Sequence, residues 1–286
     1  MNGPLVEMVG VSKTLGDRTV LQQVDFVVQP GEVVGIIGAN GSGKTTLLRL
    51  LAGLLYADAG EVRVGGVRVA PGMWGRMPTQ IGVLIESPGF LPQFSGLQNL
   101  LFLAGIRRMI GRSAVAEHMA HWGLDPANRQ AVRKYSLGMR QRLGLTQAVM
   151  ESPRVLLLDE PTNSLDHAGV RVLGEMLPAV SVHGVATVLV SHVMEDINGW
   201  CDRVFRLDGG TLTVVRTARD RAWRVVLHRW ADMERVSDVF QALRVVDPAA
   251  DGPAVVGTGP WTDEAELMVV LKQRGVDVLA VEAVRS

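Results

Sequence analysis

The sequence predicts an α/β fold that is built around a mostly parallel β-sheet. Two short apolar runs, residues 33–37 and 155–158, carry this prediction. Neither run alternates with polar residues, which is typical of strands that are buried on both faces of a parallel sheet. Glycines follow the first run and two acids follow the second, and ligands bind at the carboxyl edge of such sheets. We therefore expect the functional residues to follow these two strands.

The first run leads into residues 38–45, G-A-N-G-S-G-K-T, which form a complete P-loop ahead of a helix-like stretch. The glycines let backbone N–H groups point at a β-phosphate, which the helix N-terminus also attracts. Lys44 then reaches the β- and γ-phosphates, and the Thr45 hydroxyl is placed to bind Mg²⁺. The alternative, a glycine-rich turn without a ligand, is disfavoured because all eight positions match. The loop predicts ATP or GTP binding by Gly38, Ala39, Asn40, Gly41, Ser42, Gly43, Lys44, Thr45 and Thr46.

Two adjacent acids, Asp159 and Glu160, follow the second apolar run. Asp159 can hold Mg²⁺ in its outer shell beside Thr45, while Glu160 can orient and polarise the water that attacks the γ-phosphate. Two acids at a strand end also suit an ordinary helix N-cap. Their position downstream of a P-loop favours the metal-binding and catalytic roles.

A third segment, residues 135–142, reads Y-S-L-G-M-R-Q-R. Ser136 predicts a helix N-cap, and a capping Ser with the exposed N–H groups of a helix start forms an anion site. Taken alone, the segment predicts only a capped amphipathic helix. Ahead of a strand that ends in carboxylates, it resembles the signature motif of ATP-binding cassette (ABC) ATPases. That resemblance implies contacts to the γ-phosphate held by the opposite subunit, made by Ser136, Leu137, Gly138 and Met139.

Two further segments resemble motifs of the same family, and the motifs follow one another along the chain in the order that is typical of that family. Residues 163–166, N-S-L-D, resemble the D-loop with Asp166, and residues 188–192, V-L-V-S-H, resemble the strand that ends in the switch histidine, here His192. Without this resemblance, a lone His at the end of a strand would not by itself indicate a functional role. The resemblance covers about residues 5 to 215. It implies an ATPase that uses ATP and Mg²⁺, dimerises around two nucleotides and separates after hydrolysis.

Two positions depart from the common pattern of that family. Leu15 stands where many members carry an aromatic residue that stacks on adenine, so the sequence predicts weak selection of the base. Glu86 stands where most members carry the Gln that links the Mg²⁺ site to the membrane partner. The alternative for Glu86 is an ordinary surface residue, but we expect it to take over metal sensing. Glu in place of this Gln, together with residues 135–144, Y-S-L-G-M-R-Q-R-L-G, resembles the bacitracin and lantibiotic self-resistance exporters of Gram-positive bacteria.

Composition constrains the location and the partners. The chain has 29 Lys plus Arg and 29 Asp plus Glu, so no net field attracts nucleic acid or an anionic membrane surface. The sequence lacks a long uninterrupted apolar run and a signal-peptide pattern. The single cysteine, Cys201, fits a reducing compartment. We expect a cytoplasmic protein that is peripheral on the inner face of the cell membrane.

The chain divides by sequence into residues 1–215, an ABC nucleotide-binding domain, and residues 216–286, an accessory α+β domain. The first has an antiparallel β-subdomain near its N-terminus and a helical subdomain at about residues 87–145. In the helical subdomain, a loop with apolar residues suits a groove for a partner's helix, although about half of them should be core: Phe90, Leu91, Phe94 and Leu97.

After a charged connector at residues 216–224, the accessory domain has a β-α-β-β-α-β pattern that predicts a ferredoxin-like fold. Its first helix is expected at residues 232–243 and its second at residues 263–274. We expect this domain to be structural or regulatory.

The function expected from these motifs is that of an ATP-hydrolysing subunit of an ABC exporter. It would form a homodimer, or a heterodimer with another ABC ATPase, on separate membrane-spanning permease subunits. A soluble ABC ATPase that acts on ribosomes or DNA is the alternative. It is disfavoured by the single cassette, the neutral charge and the short segment from Glu86 to Ser136. A non-hydrolysing regulator is disfavoured because Glu160 and His192 are both present.

Overall fold

The structure is a computed structural model of the chain. It describes residues 3–72, 80–86, 89–192, 197, 199–217, 221–229, 232–237, 239–240, 242–249, 252–259 and 264–283. Internal contacts divide the chain into two compact units, Met1–Thr213 and Val214–Ser286. The domain limits expected from the sequence, 1–215, 87–145 and 216–286, stay predictions.

The elements up to residue 217 are, in chain order, β1 (Val6–Leu15), β2 (Arg18–Val28), β3 (Val33–Ile37), α1 (Lys44–Leu51), β4 (Ala59–Val64), β5 (Val67–Arg68), β6 (Ile81–Leu84), α2 (Gly96–Arg107), α3 (Arg112–His121), α4 (Leu137–Val149), β7 (Val155–Asp159), α5 (His167–Val182), β8 (Ala186–Ser191), β9 (Arg203–Asp208) and β10 (Thr211–Thr217). They form two sheets and a helical layer.

The central sheet has six strands in the order β10-β9-β3-β8-β7-β6. The pairs β9–β3, β3–β8, β8–β7 and β7–β6 are all parallel. Every residue of β3 and β7 is buried, which explains why neither strand alternates apolar with polar residues. The arrangement confirms the predicted α/β fold and brings the carboxyl ends of β3, β8, β7 and β6 to one edge.

The second sheet is the antiparallel β-subdomain expected near the N-terminus. Its strands follow the order β2-β1-β4-β5, and each neighbouring pair is antiparallel. Buried residues of this sheet, such as Phe26, share one hydrophobic core with Ile36 of β3 and Leu47 of α1. This shared core ties the β-subdomain to the P-loop strand and helix.

Of the four apolar residues that were expected in a loop, about half of them as core, Leu97 is buried in a helix and Phe90, Leu91 and Phe94 are half-buried. Leu97 is 7% exposed and lies in the first turn of α2, where it belongs to a core with Leu100 and Leu143. The start of α2 is fixed by a capping box, since Ser95 Oγ accepts from Gln98 N and Gln98 Oε1 accepts from Ser95 N. The S-x-x-Q spacing was the sequence signal for this helix.

The second unit contains β11 (Arg221–Leu227), α6 (Met233–Ser237), β12 (Ala242–Ala249), β13 (Gly252–Gly259), α7 (Glu264–Gln273) and β14 (Val278–Ala283). Its four-stranded antiparallel sheet has the order β12-β13-β11-β14. This is the ferredoxin-like β-α-β-β-α-β fold that the pattern predicts.

Two boundaries in this region were predicted wrongly. The helix expected at residues 232–243 ends at Ser237, because from Ala242 the chain pairs with β13 as a strand. The charged connector expected at residues 216–224 is mostly strand, since β10 runs to Thr217 and β11 begins at Arg221. Residues 218–220 of that stretch lie outside the described residues. Strand pairing overrides the helical periodicity in the first place and the local charge pattern in the second.

Candidate nucleotide-binding and catalytic site

The P-loop joins β3 to α1 as a tight cradle that requires glycine. Gly41 and Gly43 have φ angles of +76° and +109°, which L side chains rarely adopt. A Cβ added at Gly38 would lie 2.5 Å from the carbonyl oxygen of Leu207. Within the described part of the chain, the buried Ser42 Oγ has no hydrogen-bond partner. A curled backbone at a helix N-terminus with an orphaned hydroxyl fits a bound phosphate.

The ammonium group of Lys44 lies over this cradle. Its Nζ donates to the carbonyl oxygens of Gly38, at 2.8 Å, and Ala39, at 3.1 Å. The residue is buried, so its positive charge is held inside the loop instead of in bulk water. The position suits a cation that compensates phosphate charge.

The end of β7 meets the start of α1 through one hydrogen bond. Thr45 Oγ1 donates to Asp159 Oδ2 at 2.7 Å. Asp159 is 8% exposed, and this burial raises the pKa of its carboxyl. The hydrogen bond from Thr45 lowers that pKa, and the negative charge of Glu160 raises it further. The two oxygen ligands expected for Mg²⁺ are therefore adjacent.

Glu160 and His192 form a close pair at the same edge of the sheet. Glu160 Oε2 lies 2.8 Å from His192 Nδ1, which directly follows β8. The backbone of Glu160 has a φ of +46°, and its N–H donates to the Val190 carbonyl at 2.9 Å. A non-glycine residue with this left-handed backbone conformation is strained, and such strain is common at functional sites. Gln141 of α4 also supports the turn, because its Nε2 donates to the carbonyl oxygens of Glu160 and Pro161.

Glu86 lies just beyond β6, the neighbour of β7 in the sheet. Its Oε1 is 2.5 Å from Nη2 of Arg49, a residue of α1. Its φ is +55°, so it too has a left-handed backbone. The negative charge of Glu86 is one of the smaller contributions that raise the pKa of Asp159. The two carboxylates therefore share one electrostatic environment.

An open cleft of about 690 Å³ brings most of these residues together. Besides P-loop residues 40, 41 and 43–46, its walls include five residues that the sequence predicted: Leu15, Glu86, Leu137, Asp159 and Glu160. The sequence reasoning missed other wall residues: Arg18, Val20, Arg140, Gln141, Asn163 and Ser164. Arg18 and Val20 follow Leu15 across the β1–β2 turn, and that hairpin was the available signal.

The signature segment lies at the start of α4. Ser136 is its N-cap and accepts from Met139 N at 3.2 Å. Leu137 is 65% exposed and is the segment's contribution to the cleft wall. A Cβ at Gly138 would lie 2.7 Å from the Ser164 carbonyl oxygen, so the segment packs closely on the loop after β7.

Asp166, the D-loop acid, does not line the cleft. It is the N-cap of α5 and accepts from Gly169 N at 2.9 Å, and it also accepts from Arg142 Nη2. The Gly169 N–H, followed by Arg142, lowers the pKa of its carboxyl. In this single chain, Asp166 is therefore a helix cap that ties α5 to α4.

Comparison with known proteins agrees with this geometry. The family model described as ABC transporter matches residues 21–163, a range that includes the P-loop, the signature segment and both acids after β7. The chain belongs to the ABC transporter family. As a member, it is an ATP-binding subunit of the class that hydrolyses ATP.

Several curated ABC proteins are similar to this one. YdbJ, an uncharacterised ABC transporter ATP-binding protein of Bacillus subtilis (strain 168), is 35% identical over 213 residues, 74% of this chain and 69% of YdbJ. The bacitracin transport ATP-binding protein BcrA of Enterococcus faecalis is 32% identical over 209 residues, 73% of this chain and 68% of BcrA. The lantibiotic transport ATP-binding protein SrtF of Streptococcus pyogenes is 30% identical over 201 residues, 69% of this chain and 84% of SrtF. They confirm the subfamily resemblance.

Solved structures of ABC cassettes have the same fold. The ATP-binding subunit of an ABC transporter superposes with a TM-score of 0.66 at 25% identity, over 73% of this chain and 88% of that one. A bacterial ABC transporter cassette solved as a dimer superposes with a TM-score of 0.64 at 22% identity, over 74% of this chain and 99% of that one. Within the residues that our structure describes, no helix is long and apolar enough to cross a bilayer.

Proposed function

We propose that this chain binds ATP with Mg²⁺ in the P-loop cleft and hydrolyses it to drive export through separate permease subunits. The observation that carries the proposal is the pair formed by Glu160 Oε2 and His192 Nδ1, 2.8 Å apart at the sheet edge that also bears the P-loop. A phosphate site alone would support binding. An acid held by a histidine beside that site supports hydrolysis.

The phosphates of ATP fit the N–H groups of residues 38–45, and Lys44 compensates their charge. Thr45 and Asp159 supply the oxygens that would hold Mg²⁺. When bound, Mg²⁺ neutralises charge on the β- and γ-phosphates. The hydrogen bond between Thr45 and Asp159 holds these two oxygens next to each other beside the P-loop.

Glu160 is the residue that would polarise the attacking water. Its carboxylate follows β7 directly, and its backbone is fixed by the hydrogen bond to Val190 and by Gln141. His192 holds one carboxylate oxygen, which leaves the other free to accept a proton from water. His192 would also contact the γ-phosphate, as in the family.

A second ATPase chain would complete each nucleotide site. The support is the start of α4, where Ser136 caps the helix and Leu137 is exposed at the cleft wall. A capped helix start attracts the γ-phosphate of a nucleotide held by the opposite chain. The second chain is another copy of this protein or a different ABC ATPase.

The permease would dock on the helical layer. Three apolar side chains of α2 and its C-terminal end, spaced four and three residues apart, are exposed: Phe102 (58%), Ile106 (70%) and Met109 (49%). Phe102 and Ile106 lie one turn apart on one face of α2, and Met109 follows the left-handed C-cap Arg108 just beyond the helix; exposed apolar side chains of this kind fit the groove or helix of a partner. Docking there would hold the chain peripherally on the cytoplasmic face of the membrane.

The proposed cargo is an antimicrobial peptide or antibiotic. The support is the similarity to BcrA and SrtF, together with Glu86, which stands where the sequence resemblance places the family's usual Gln. An ABC ATPase that acts on ribosomes or DNA is not favoured, because the similar proteins named above that have an assigned role are transport proteins.

The test has two stages. In the first, the purified chain is assayed for hydrolysis of ATP with Mg²⁺ and for dimer formation with ATP, and the absence of both would refute the ATPase proposal. In the second, the chain is expressed with candidate permease subunits, and the resistance of a sensitive host to bacitracin and to a lantibiotic is measured. Unchanged sensitivity to both, with active ATPase, would remove the proposed cargo and leave the ATPase.

A further inference from the structure

Arg49 and Thr45 contact two different acids from one face of the P-loop helix. They are four positions apart in α1, so their side chains lie one above the other. Thr45 binds Asp159 at the end of β7, and Arg49 binds Glu86 just beyond β6. Strands β6 and β7 are parallel neighbours with Leu84 opposite Leu158. The helix therefore holds the acids of two adjacent strands at once.

The charge balance of the cleft gives Arg49 a role. Asp159, Glu160 and Glu86 are three carboxylates on the cleft wall, and each adds negative charge beside the proposed metal position. Lys44 is directed to the P-loop carbonyl oxygens. Arg49 is the cation that contacts Glu86 in the described structure, at 2.5 Å.

We infer that Arg49 is a positioning residue that holds the Glu86 carboxylate and thereby limits how strongly its charge acts on the Mg²⁺ site. The inference rests on the proposed function, since it takes Thr45 and Asp159 as the metal-binding pair. Glu86 has a strained backbone with φ +55°, and the ion pair is the contact that fixes its side chain. Without Arg49, the carboxylate is free to turn toward Asp159 and the metal.

The ion pair between Arg49 and Glu86 contributes little to the folding stability of the chain. The side chains of Arg49 and Glu86 are 41% and 60% exposed, and an ion pair in contact with water contributes little to folding. The field of an unpaired carboxylate near a divalent ion is a larger effect, because a doubly charged ion feels it twice as strongly. Loss of Arg49 should therefore change the response to Mg²⁺ more than it changes unfolding.

The test measures binding of a fluorescent ATP analogue as a function of Mg²⁺ concentration. We expect Arg49→Met to lower the Mg²⁺ concentration for half-maximal binding by about threefold to fivefold, because the freed Glu86 attracts the ion. Arg49→Lys should restore most of the wild-type response. Arg171→Met is the matched control, since Arg171 also forms an exposed pair with an acid, Glu175, but lies on α5.

The same variant in a Glu86→Gln background decides whether the effect passes through Glu86. There, Arg49→Met should leave the Mg²⁺ response unchanged. An unaltered response of the single variant, or an equal shift in both backgrounds, would overturn the inference. Lys44→Ala separates this failure from failure of the proposed function, because normal nucleotide binding by Lys44→Ala would refute the P-loop site itself. Thermal unfolding of each variant identifies any that is misfolded.

Discussion

Thr45 Oγ1 lies 2.7 Å from Asp159 Oδ2, although the two residues are 114 positions apart in the chain. The bond joins the first turn of the P-loop helix to the end of β7. It brings together the two oxygens that suit Mg²⁺, at the edge of the sheet that also holds Glu160 and His192. The site is thus assembled from the ends of β3, β7 and β8.

Glu160→Gln should abolish most ATP hydrolysis while ATP still binds, because an amide cannot take a proton from water. A general base contributes about 10²–10⁴-fold, so the rate should fall at least about 100-fold. An ATP-bound dimer should accumulate and is detected by size exclusion with ATP and Mg²⁺. Glu175→Gln, an exposed acid on α5, is the control. Wild-type turnover without a gain in dimer would exclude this role for Glu160.

Lys44→Ala should weaken nucleotide binding itself. The variant loses a buried cation that donates hydrogen bonds inside the cradle, and bonds that involve a charged group contribute about 1.5–3 kcal/mol. This corresponds to a Kd that rises by about 10-fold to 100-fold. Titration with a fluorescent ATP analogue measures it, and a wild-type Kd would contradict the P-loop assignment.

Leu15 predicts weak discrimination between ATP and GTP. It lines the cleft at the end of β1, and an aliphatic side chain lacks the stacking that contributes about 0.5–1.5 kcal/mol. Competition binding should give a ratio below about tenfold, and Leu15→Tyr should tighten nucleotide binding by at least about twofold. A preference for ATP above about 100-fold would require about 2.7 kcal/mol from another residue.

Asp159→Asn should change how stability depends on pH. Burial raises the pKa of Asp159 in the folded chain above its ordinary value of 3.8, so the folded state binds this proton more tightly than the unfolded state. Its contribution is fully present below the ordinary pKa and is lost as pH rises through the raised one. With a chelator and no nucleotide, the Tm of Asp159→Asn minus that of wild type should therefore increase with pH. A Tm difference that stays constant as pH rises from the ordinary pKa through the raised one would argue against the raised pKa of Asp159.

Glu86→Ala should uncouple export from hydrolysis. ATP should still bind because the P-loop is unchanged, while resistance of cells that carry the matching permease falls and the ATPase rate of the isolated chain changes less. Glu86→Gln should be milder, since it keeps the shape and one oxygen. Export at the wild-type level in Glu86→Ala would make Glu86 an ordinary surface residue.

The sequence by itself determined the P-loop, the acids after β7 and the capped start of α4. Each of these features is a run of neighbouring residues, and its chemistry follows from local backbone geometry: glycines that curl, a strand that ends in carboxylates, a Ser that caps a helix. The apolar runs also predicted the parallel sheet. Adjacent residues carry such signals because a loop or cap is specified by its own chain segment.

Thr45 and Asp159 were expected to lie at one Mg²⁺ site, but only the tertiary structure decided which contacts the distant side chains make. The pairs Thr45–Asp159, Glu160–His192 and Arg49–Glu86 depend on the strand order β3-β8-β7-β6, which the order along the chain does not specify. Burial was likewise decided by packing, since Leu97 enters a core made by three helices. The physical reason is that contacts between distant segments depend on how whole elements pack, and local propensity does not encode that packing.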